Sequence, residues 1–137
     1  MSQAMPGDKP GLGPALPHVF VRDIEAALAY YRDRLGFRVT VTYGTPPFYA
    51  EVARDRARLA FRSVWEPVFA GDVRERESLL SASFAVDTRA AIEALFAEIT
   101  AAGVALHQPL TDQPWGARDF VVRDPDGNLI HFARPQK

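Results

Sequence analysis

The stretch QPWGARDFVVRDPDGNLIHF, residues 113–132, decides the fold at the C-terminal end of this sequence. It contains two runs in which polar and apolar residues alternate, and a period of two is typical of β-strands. Between the runs, residues 124–127 (Asp-Pro-Asp-Gly) favour a turn, because Pro presets φ, Asp bonds nearby backbone and Gly accepts positive φ. We therefore predict a β-hairpin, with Leu129, His131 and Ala133 on one face of its second strand.

Composition indicates a single globular domain without a nucleic-acid or membrane partner. The chain has 137 residues, of which 47% are hydrophobic, so it can bury a real core. A formal net charge of -1 provides no basic field to attract nucleic acid or anionic lipid. The absence of cysteine excludes disulfides and thiolate metal sites. No apolar run approaches the roughly 20 residues that a membrane-spanning helix requires.

The first 14 residues, MSQAMPGDKPGLGP, are predicted to form a flexible tail. They lack the continuous apolar segment of a secretory signal, and their Gly and Pro residues disfavour helices and strands. We expect a cytoplasmic protein whose single ordered domain spans residues 15–135.

The rest of the chain repeats one pattern of elements. In the first copy a strand over residues 16–21 precedes a helix whose apolar positions Ile24, Leu28, Tyr31 and Leu35 have helical spacing and which ends at Gly36. Three strands follow, over residues 37–43, 48–53 and 58–63. The second copy has a strand over 81–86, a helix capped at Asp87 or Thr88, and strands over 104–107, 118–123 and 129–133. The prediction is an α+β fold of two βαβββ units, residues 15–63 and 80–134, joined by a linker, residues 64–79, that can hold a short helix.

Two segments resemble a known superfamily. They are ALPHVFVRDIEAALAYYRDRLGF, residues 15–37, and the hairpin segment, residues 113–132. Together with the tandem βαβββ order they resemble the vicinal oxygen chelate (glyoxalase/bleomycin resistance protein/dioxygenase) superfamily, and most of all its bleomycin resistance proteins. The resemblance implies a curled mixed sheet from each unit and a cavity that serves as the active or binding site.

The resemblance also locates the positions at which enzymes of the superfamily hold a divalent metal. These positions fall on Leu16, Ser81 and His131, and the strand over residues 58–63 contains neither histidine nor carboxylate. We therefore predict a protein without a metal cofactor, because one ligand residue does not make a site. The alternative is a glyoxalase- or dioxygenase-type enzyme with Zn, Ni, Mn or Fe on His18, His131 and Glu51.

A metal-free catalytic cleft with His131 as general base also stays open, although the sequence shows no acid oriented beside this residue. The third histidine, His107, lies close to Pro109 and is predicted to be a surface residue.

Aromatic residues predict a cleft for a planar small molecule. Aromatic faces stack on planar ligands, and apolar clefts with few polar groups are typical ligand sites. The resemblance implies that Trp115 and either Phe48 or Tyr49 line a drug-binding groove. Phe61 is a candidate for the cavity wall, although the core is the preferred position for it. The predicted ligand-binding residues are Trp115, Phe48, Tyr49, Phe61, His18 and His131, and Trp65 is a further candidate for the wall. The predicted function is sequestration of an antibiotic or another planar amphipathic ligand.

Pro17 suggests a homodimer. It matches a proline of bleomycin resistance proteins, whose N-terminal arm crosses to a partner and whose grooves form between chains. Because proline cannot donate to a sheet ladder, it favours an edge or an exchanged strand, although it would equally protect the edge of a monomer.

The charge of the predicted cleft depends on an arginine-rich segment, residues 54–62. Arg58 and Arg62 share one face of a strand, which favours an anionic ligand if that face lines the cavity and is otherwise a solvated outer face.

Overall fold

The computed structural model describes residues 10–64 and 73–135 and contains the predicted tandem βαβββ order. The first unit consists of β1 (His18–Val21), α1 (Ile24–Asp33), β2 (Arg38–Tyr43), β3 (Tyr49–Arg54) and β4 (Ala57–Ser63). A short helix, α2 (Val73–Arg76), lies in the predicted linker. The second unit consists of β5 (Leu80–Ala85), α3 (Arg89–Ala101), β6 (Leu106–Asp112), β7 (Arg118–Arg123) and β8 (Leu129–Arg134). The first nine residues of the predicted tail and Trp65 lie outside the described residues.

Local sequence signals set the limits of both long helices. The Asp23 side chain accepts a hydrogen bond from the Ala26 N–H at 3.1 Å and caps α1, and Gly36 follows the helix with φ at +72°. In α3 the cap is Thr88, whose side chain accepts from the Ala91 N–H at 3.1 Å. The sequence therefore predicted both helix starts. Of the two predicted caps of α3, Asp87 and Thr88, the structure shows Thr88.

Each unit forms one four-stranded mixed sheet. The strand orders are β1-β4-β3-β2 and β5-β8-β7-β6, and in each sheet the first pair is parallel and the others are antiparallel. Pro17 directly precedes β1, which is an edge strand, and its carbonyl accepts from the Ala60 N–H at 2.9 Å. This position suits a proline, because the residue needs no ladder donor there.

The last unit differs from prediction at β6, which was expected over residues 104–107 and runs instead over Leu106–Asp112. Pro109 lies inside this strand. The strand tolerates proline because β6 is the other edge of its sheet, and its register with β7 shifts between Gln108 and Thr111.

One face of each sheet contributes to a shared hydrophobic core. Helix α1 packs on β2, β3 and β4, and α3 packs on β7 and β8. Alternation along β4 buries Leu59 and Phe61 completely, and along β7 it buries Phe120 and Val122. The residues on the opposite faces of β4 and β7 lie outside this core.

The turn of the C-terminal hairpin connects the two units. Its Asp124 carboxylate is buried and accepts hydrogen bonds from the Tyr31 hydroxyl of α1 at 2.7 Å and from the Asn128 side chain at 3.0 Å. The Asn128 side chain in turn donates to the Phe20 carbonyl of the first unit at 3.0 Å. Hydrogen bonds from the predicted turn therefore hold the two units together.

Among the described residues, the longest helices are too short and too polar to cross a membrane.

Candidate functional site

The predicted site residues divide between two separate surfaces of the chain. The first-sheet face is the side of the first sheet that points away from the core and carries His18, Tyr49, Glu51, Arg58 and Arg62, with Phe48 at its margin. The second-sheet pocket has a volume of about 440 Å³ and includes Trp115 and His131 in its wall. Within the described part of the chain, no single pocket gathers all the predicted residues.

On the first-sheet face, Glu51 accepts hydrogen bonds from two neighbours. The Tyr49 hydroxyl donates to its Oε2 at 2.8 Å, and Arg58 donates to its Oε1 at 2.8 Å. The Tyr49 hydrogen bond is the main reason why the pKa of Glu51 lies below its ordinary value, and Arg58 acts in the same direction. The His18 ring lies 6.4 Å from the Tyr49 ring, centre to centre. Strands β1, β3 and β4 thus hold these polar groups on one surface.

Phe48 is an exposed aromatic residue at the edge of this face, with 59% of its surface accessible. It follows the turn at Gly44, whose φ is +97°, and a Cβ atom at Gly44 would collide with the Phe48 ring. Glycine is therefore needed for the ring to lie over the turn.

The four arginines of residues 54–62 point in different directions. Arg58 and Arg62 lie on the first-sheet face, as alternation predicted, and both are exposed. Arg54 lies on the core side, where it donates to the Glu98 carboxylate of α3, and Arg56 pairs with Asp87. Only Arg58 and Arg62 therefore lie on the surface that carries Tyr49, and the charge of Arg58 is balanced there by Glu51.

Phe61 is a core residue that lies on neither surface. Its side chain is completely buried, and its ring centre lies 4.8 Å from that of Tyr31 on α1. Because Phe61 follows Ala60 by one residue in β4, it points to the face opposite His18 and Tyr49. Phe61 therefore lies in the core, the position that the sequence favoured for it, and apart from the other residues of the predicted ligand set.

Trp115 projects from the turn between β6 and β7 and is 60% exposed. The turn is closed by a hydrogen bond from the Gln113 N–H to the Ala117 carbonyl at 2.7 Å. Gly116 has a φ of +97°, a conformation that glycine adopts at little cost. Trp115 therefore offers a broad aromatic face at the second-sheet pocket.

His107 also lines the second-sheet pocket, so the prediction of a simple surface position was incomplete. Its Nε2 lies 2.9 Å from the Ser78 hydroxyl. His107 is the second residue of β6 and not, as predicted, the last residue of a strand that ends before Pro109.

The polar centre of the second-sheet pocket is a chain of hydrogen bonds through His131. Its Nε2 lies 2.9 Å from Asp119 Oδ2, and its Nδ1 lies 2.7 Å from the Ser83 hydroxyl. The other carboxylate oxygen, Asp119 Oδ1, accepts from Gln108 at 2.8 Å and from Gln113 at 2.9 Å. Asp119 is 5% exposed, so nearly all of its interactions are made inside the protein.

Asp119 is the oriented acid that sequence reasoning missed. Asp119 and His131 lie on neighbouring strands β7 and β8, where Asp119 is paired with Ala133 and Val121 with His131. Their side chains are therefore diagonal neighbours on one face. This proximity could have been predicted from the sequence. The alternation along residues 118–123 and the position of the turn together set the register of the hairpin.

The environment of Asp119 keeps its carboxylate ionised. Burial alone favours the neutral acid, yet hydrogen bonds from Gln113, His131 and Gln108 outweigh it and hold the pKa of Asp119 below its ordinary value. All three donors are N–H groups that a carboxylate can satisfy together.

The residues of the alternative metal site do not fit a metal within one chain. His18 lies in β1 of the first sheet, Glu51 is bonded to Tyr49 and Arg58, and His131 lies in β8 of the second sheet. Across residues 10–64 and 73–135, no three histidine or carboxylate side chains come close enough to hold a metal ion. This arrangement does not provide the ligand set that a superfamily metal requires.

A larger pocket, of about 670 Å³, lies between the two units. It is lined by apolar residues such as Leu35, Phe84 and Leu95, and the Arg56–Asp87 ion pair lies at its wall. It contains none of the predicted site residues.

A protein-family model matches both βαβββ units of the chain. Residues 12–132 match the family model of the Glyoxalase/Bleomycin resistance protein/Dioxygenase superfamily. The chain belongs to this superfamily. The resemblance seen in the sequence is thereby confirmed, and so is the fold class.

Relatives within the superfamily include bleomycin resistance proteins. That of Staphylococcus aureus is 35% identical over 133 residues, which cover 87% of this chain and 92% of the relative. Among solved structures, TioX from Micromonospora sp. ML1 has a TM-score of 0.68 and 26% identity, covering 87% of this chain and 95% of TioX. The bleomycin-binding protein of Streptomyces verticillus, complexed with copper(II)-bleomycin, has a TM-score of 0.68 and 23% identity, covering 94% and 100%. The last likeness concerns the fold alone.

Proposed function

We propose that this protein binds and sequesters bleomycin or another planar amphipathic antibiotic, without a resident metal. The observation that carries the proposal is the position of Trp115, an exposed aromatic face beside a pocket with an ordered polar centre. Small-molecule sites combine such an apolar surface with a few fixed polar groups. The identity to bleomycin resistance proteins along most of the chain supports the same class of ligand.

The polar groups of the second-sheet pocket are preorganised for ligand binding. Its polar groups are fixed by one another, since Asp119 holds Gln108, Gln113 and His131 in place. A preorganised site loses little conformational entropy when a ligand binds. Stacking on the Trp115 indole then contributes about 1 kcal/mol beyond the burial of its surface.

The proposed ligand groove includes a second copy of the chain. The superfamily resemblance implies that Trp115 and either Phe48 or Tyr49 line one groove, yet these residues lie on different surfaces of one chain. A groove that contains both requires the first-sheet face of one chain to approach the second-sheet pocket of another. The proposal is therefore a homodimer with two equivalent grooves.

The dimer is tested by light scattering of the full-length chain at micromolar concentration. The expected result is a molar mass twice that of one chain. A mass equal to one chain across the micromolar range would contradict the dimer while leaving the second-sheet pocket as a ligand site.

Substitution of Trp115 tests the proposed ligand site. In calorimetric titrations with bleomycin, Trp115→Ala is expected to raise the dissociation constant at least ~10-fold, because truncation of a central aromatic anchor commonly costs more than ~1.4 kcal/mol. Trp115→Phe, which keeps an aromatic face, is expected to retain most of the affinity.

The control is Asp33→Ala, since Asp33 is exposed on α1 and lies on neither surface. It should bind as the unmodified protein does. Equal dissociation constants for the unmodified protein and Trp115→Ala would exclude Trp115 from the site.

A further inference from the structure

The hydrogen bonds of His131 fix the position of its proton. An ionised carboxylate can only accept, so His131 Nε2 must carry the hydrogen that is directed at Asp119 Oδ2, 2.9 Å away. In the neutral ring, Nδ1 then has a free lone pair. That lone pair faces the Ser83 hydroxyl at 2.7 Å, so the hydroxyl donates to His131. Ser83, His131 and Asp119 are thus linked by hydrogen bonds as a hydroxyl, a base and a carboxylate that orients the base.

Ser83 is accessible to a substrate. It is an exposed residue of β5, which is an edge strand of the second sheet. The Val86 N–H donates to the Ala133 carbonyl of β8 at 2.7 Å. Because N–H groups alternate in direction along a strand, the Ser83 N–H points away from β8 and is available to an oxyanion on a group bound to Ser83.

We propose that Ser83, His131 and Asp119 form an acyl-transfer site that hydrolyses a small ester. Ser83 Oγ attacks the ester carbonyl carbon while His131 Nδ1 takes the hydroxyl proton, and the Asp119 carboxylate stabilises the imidazolium. The imidazolium gives this proton to the leaving alkoxide or phenolate, which departs as an alcohol and leaves the acyl group on Ser83. His131 then takes a proton from a water molecule, whose oxygen attacks the acyl carbon; the bond to Ser83 Oγ breaks, the imidazolium returns its proton to Oγ, and the carboxylic acid leaves.

The ring nitrogens have exchanged roles relative to the usual serine hydrolase arrangement, in which Nε2 faces the serine. The exchange leaves the chemistry intact, because either imidazole nitrogen can accept a proton when the other carries one. The roles are set here by the strands, since β5 and β7 flank β8 on opposite sides.

The chemistry of the acylation step indicates the class of ester. His131 lies in the wall of a pocket of about 440 Å³ that also contains Trp115. Ser83 is not among the residues that line this pocket, so the pocket does not select the leaving group. An aryl ester is the expected substrate class because a phenolate is a better leaving group than an alkoxide. This activity is additional to ligand sequestration, and each can fail while the other holds.

The test is acylation of the full-length protein by 4-nitrophenyl acetate, followed by release of nitrophenolate, intact mass and peptide mapping. The expected result is one acetyl group per chain on Ser83, absent in Ser83→Ala. Ser81→Ala is the control, because Ser81 is two residues away on the same strand and its hydroxyl bonds Asn128 and not His131. It should be acetylated at the rate of the unmodified protein. No acetylation, acetylation at other residues only, or an equal rate in Ser83→Ala would overturn the proposal.

Asp119 is a positioning residue in this proposal, and Asp119→Asn tests it separately. Acetylation is expected to slow ~100-fold, which is a typical loss when acid–base catalysis is disabled. Nitrogen chemical shifts of the His131 ring provide a readout that a purely structural role would not change. They should show the hydrogen on Nε2 in the unmodified protein and on Nδ1 in the variant. An unchanged rate or an unchanged tautomer would overturn the role of Asp119.

Discussion

Phe61→Ala is expected to lower the free energy of unfolding by about 3–5 kcal/mol, the usual cost of removing a buried aromatic side chain. Phe61 is completely buried and packs on Tyr31 of α1, so its loss leaves a cavity between the first sheet and its helix. Denaturant unfolding followed by circular dichroism measures the effect. A loss below about 1 kcal/mol would mean that Phe61 is not a core residue.

Phe48→Ala is the matched control, because it removes the same side chain from an exposed position. Its free energy of unfolding is expected to change by less than about 0.5 kcal/mol. The pair separates two roles that the sequence could not distinguish. Phe61 contributes to the stability of the fold, and Phe48 stays a candidate for the ligand groove.

Asp124→Ala is expected to lower the free energy of unfolding by about 3 kcal/mol, because it leaves several buried donors without an acceptor. The carboxylate accepts from the Tyr31 hydroxyl, the Asn128 backbone and side chain, and the Asp126 N–H. These bonds join α1 of the first unit to the hairpin of the second. Urea unfolding of the variant measures the loss.

Two further variants show whether the loss arises from this network. Tyr31→Phe removes one donor and is expected to cost about 1 kcal/mol. Asp33→Ala removes an exposed carboxylate that pairs only with its neighbour Arg32 and should leave unfolding unchanged. If Asp124→Ala were as stable as Asp33→Ala, the turn would not fasten the units together.

The order of helices and strands could be predicted because periodicity, caps and turn residues are local signals. Asp23 and Gly36 marked the limits of α1, and residues 124–127 marked the turn of the hairpin. Strand β6 was predicted too short, since Pro109 argues against a strand unless its edge position is known. Whether a strand lies at an edge depends on the strand order of the whole sheet, which the local sequence does not show.

The candidate site could be predicted only in part for the same reason. His131 could be placed on one face of β8, because the face of a strand residue follows from its own alternation. Its partners Asp119 and Ser83 come from two other strands and depend on register. Phe61 was ambiguous because an aromatic residue on a strand fits either face until the helix is packed against one of them.

The division of the predicted ligand residues between two surfaces is the feature of the structure with the greatest bearing on function. The superfamily enzymes and the binding proteins share one fold, so the fold alone does not identify the chemistry. In this chain the ordered polar groups and the exposed tryptophan lie together in the second-sheet pocket.

The most direct test of the account is a titration of isotope-labelled full-length protein with bleomycin, followed by amide and indole NMR shifts. We expect saturable changes that are largest at the residues lining the second-sheet pocket, namely Trp115, His107, Asp119 and His131. Changes concentrated around Phe84, Leu95 and Arg56, in the pocket between the units, would contradict it. A spectrum unchanged at millimolar bleomycin would contradict bleomycin as the ligand.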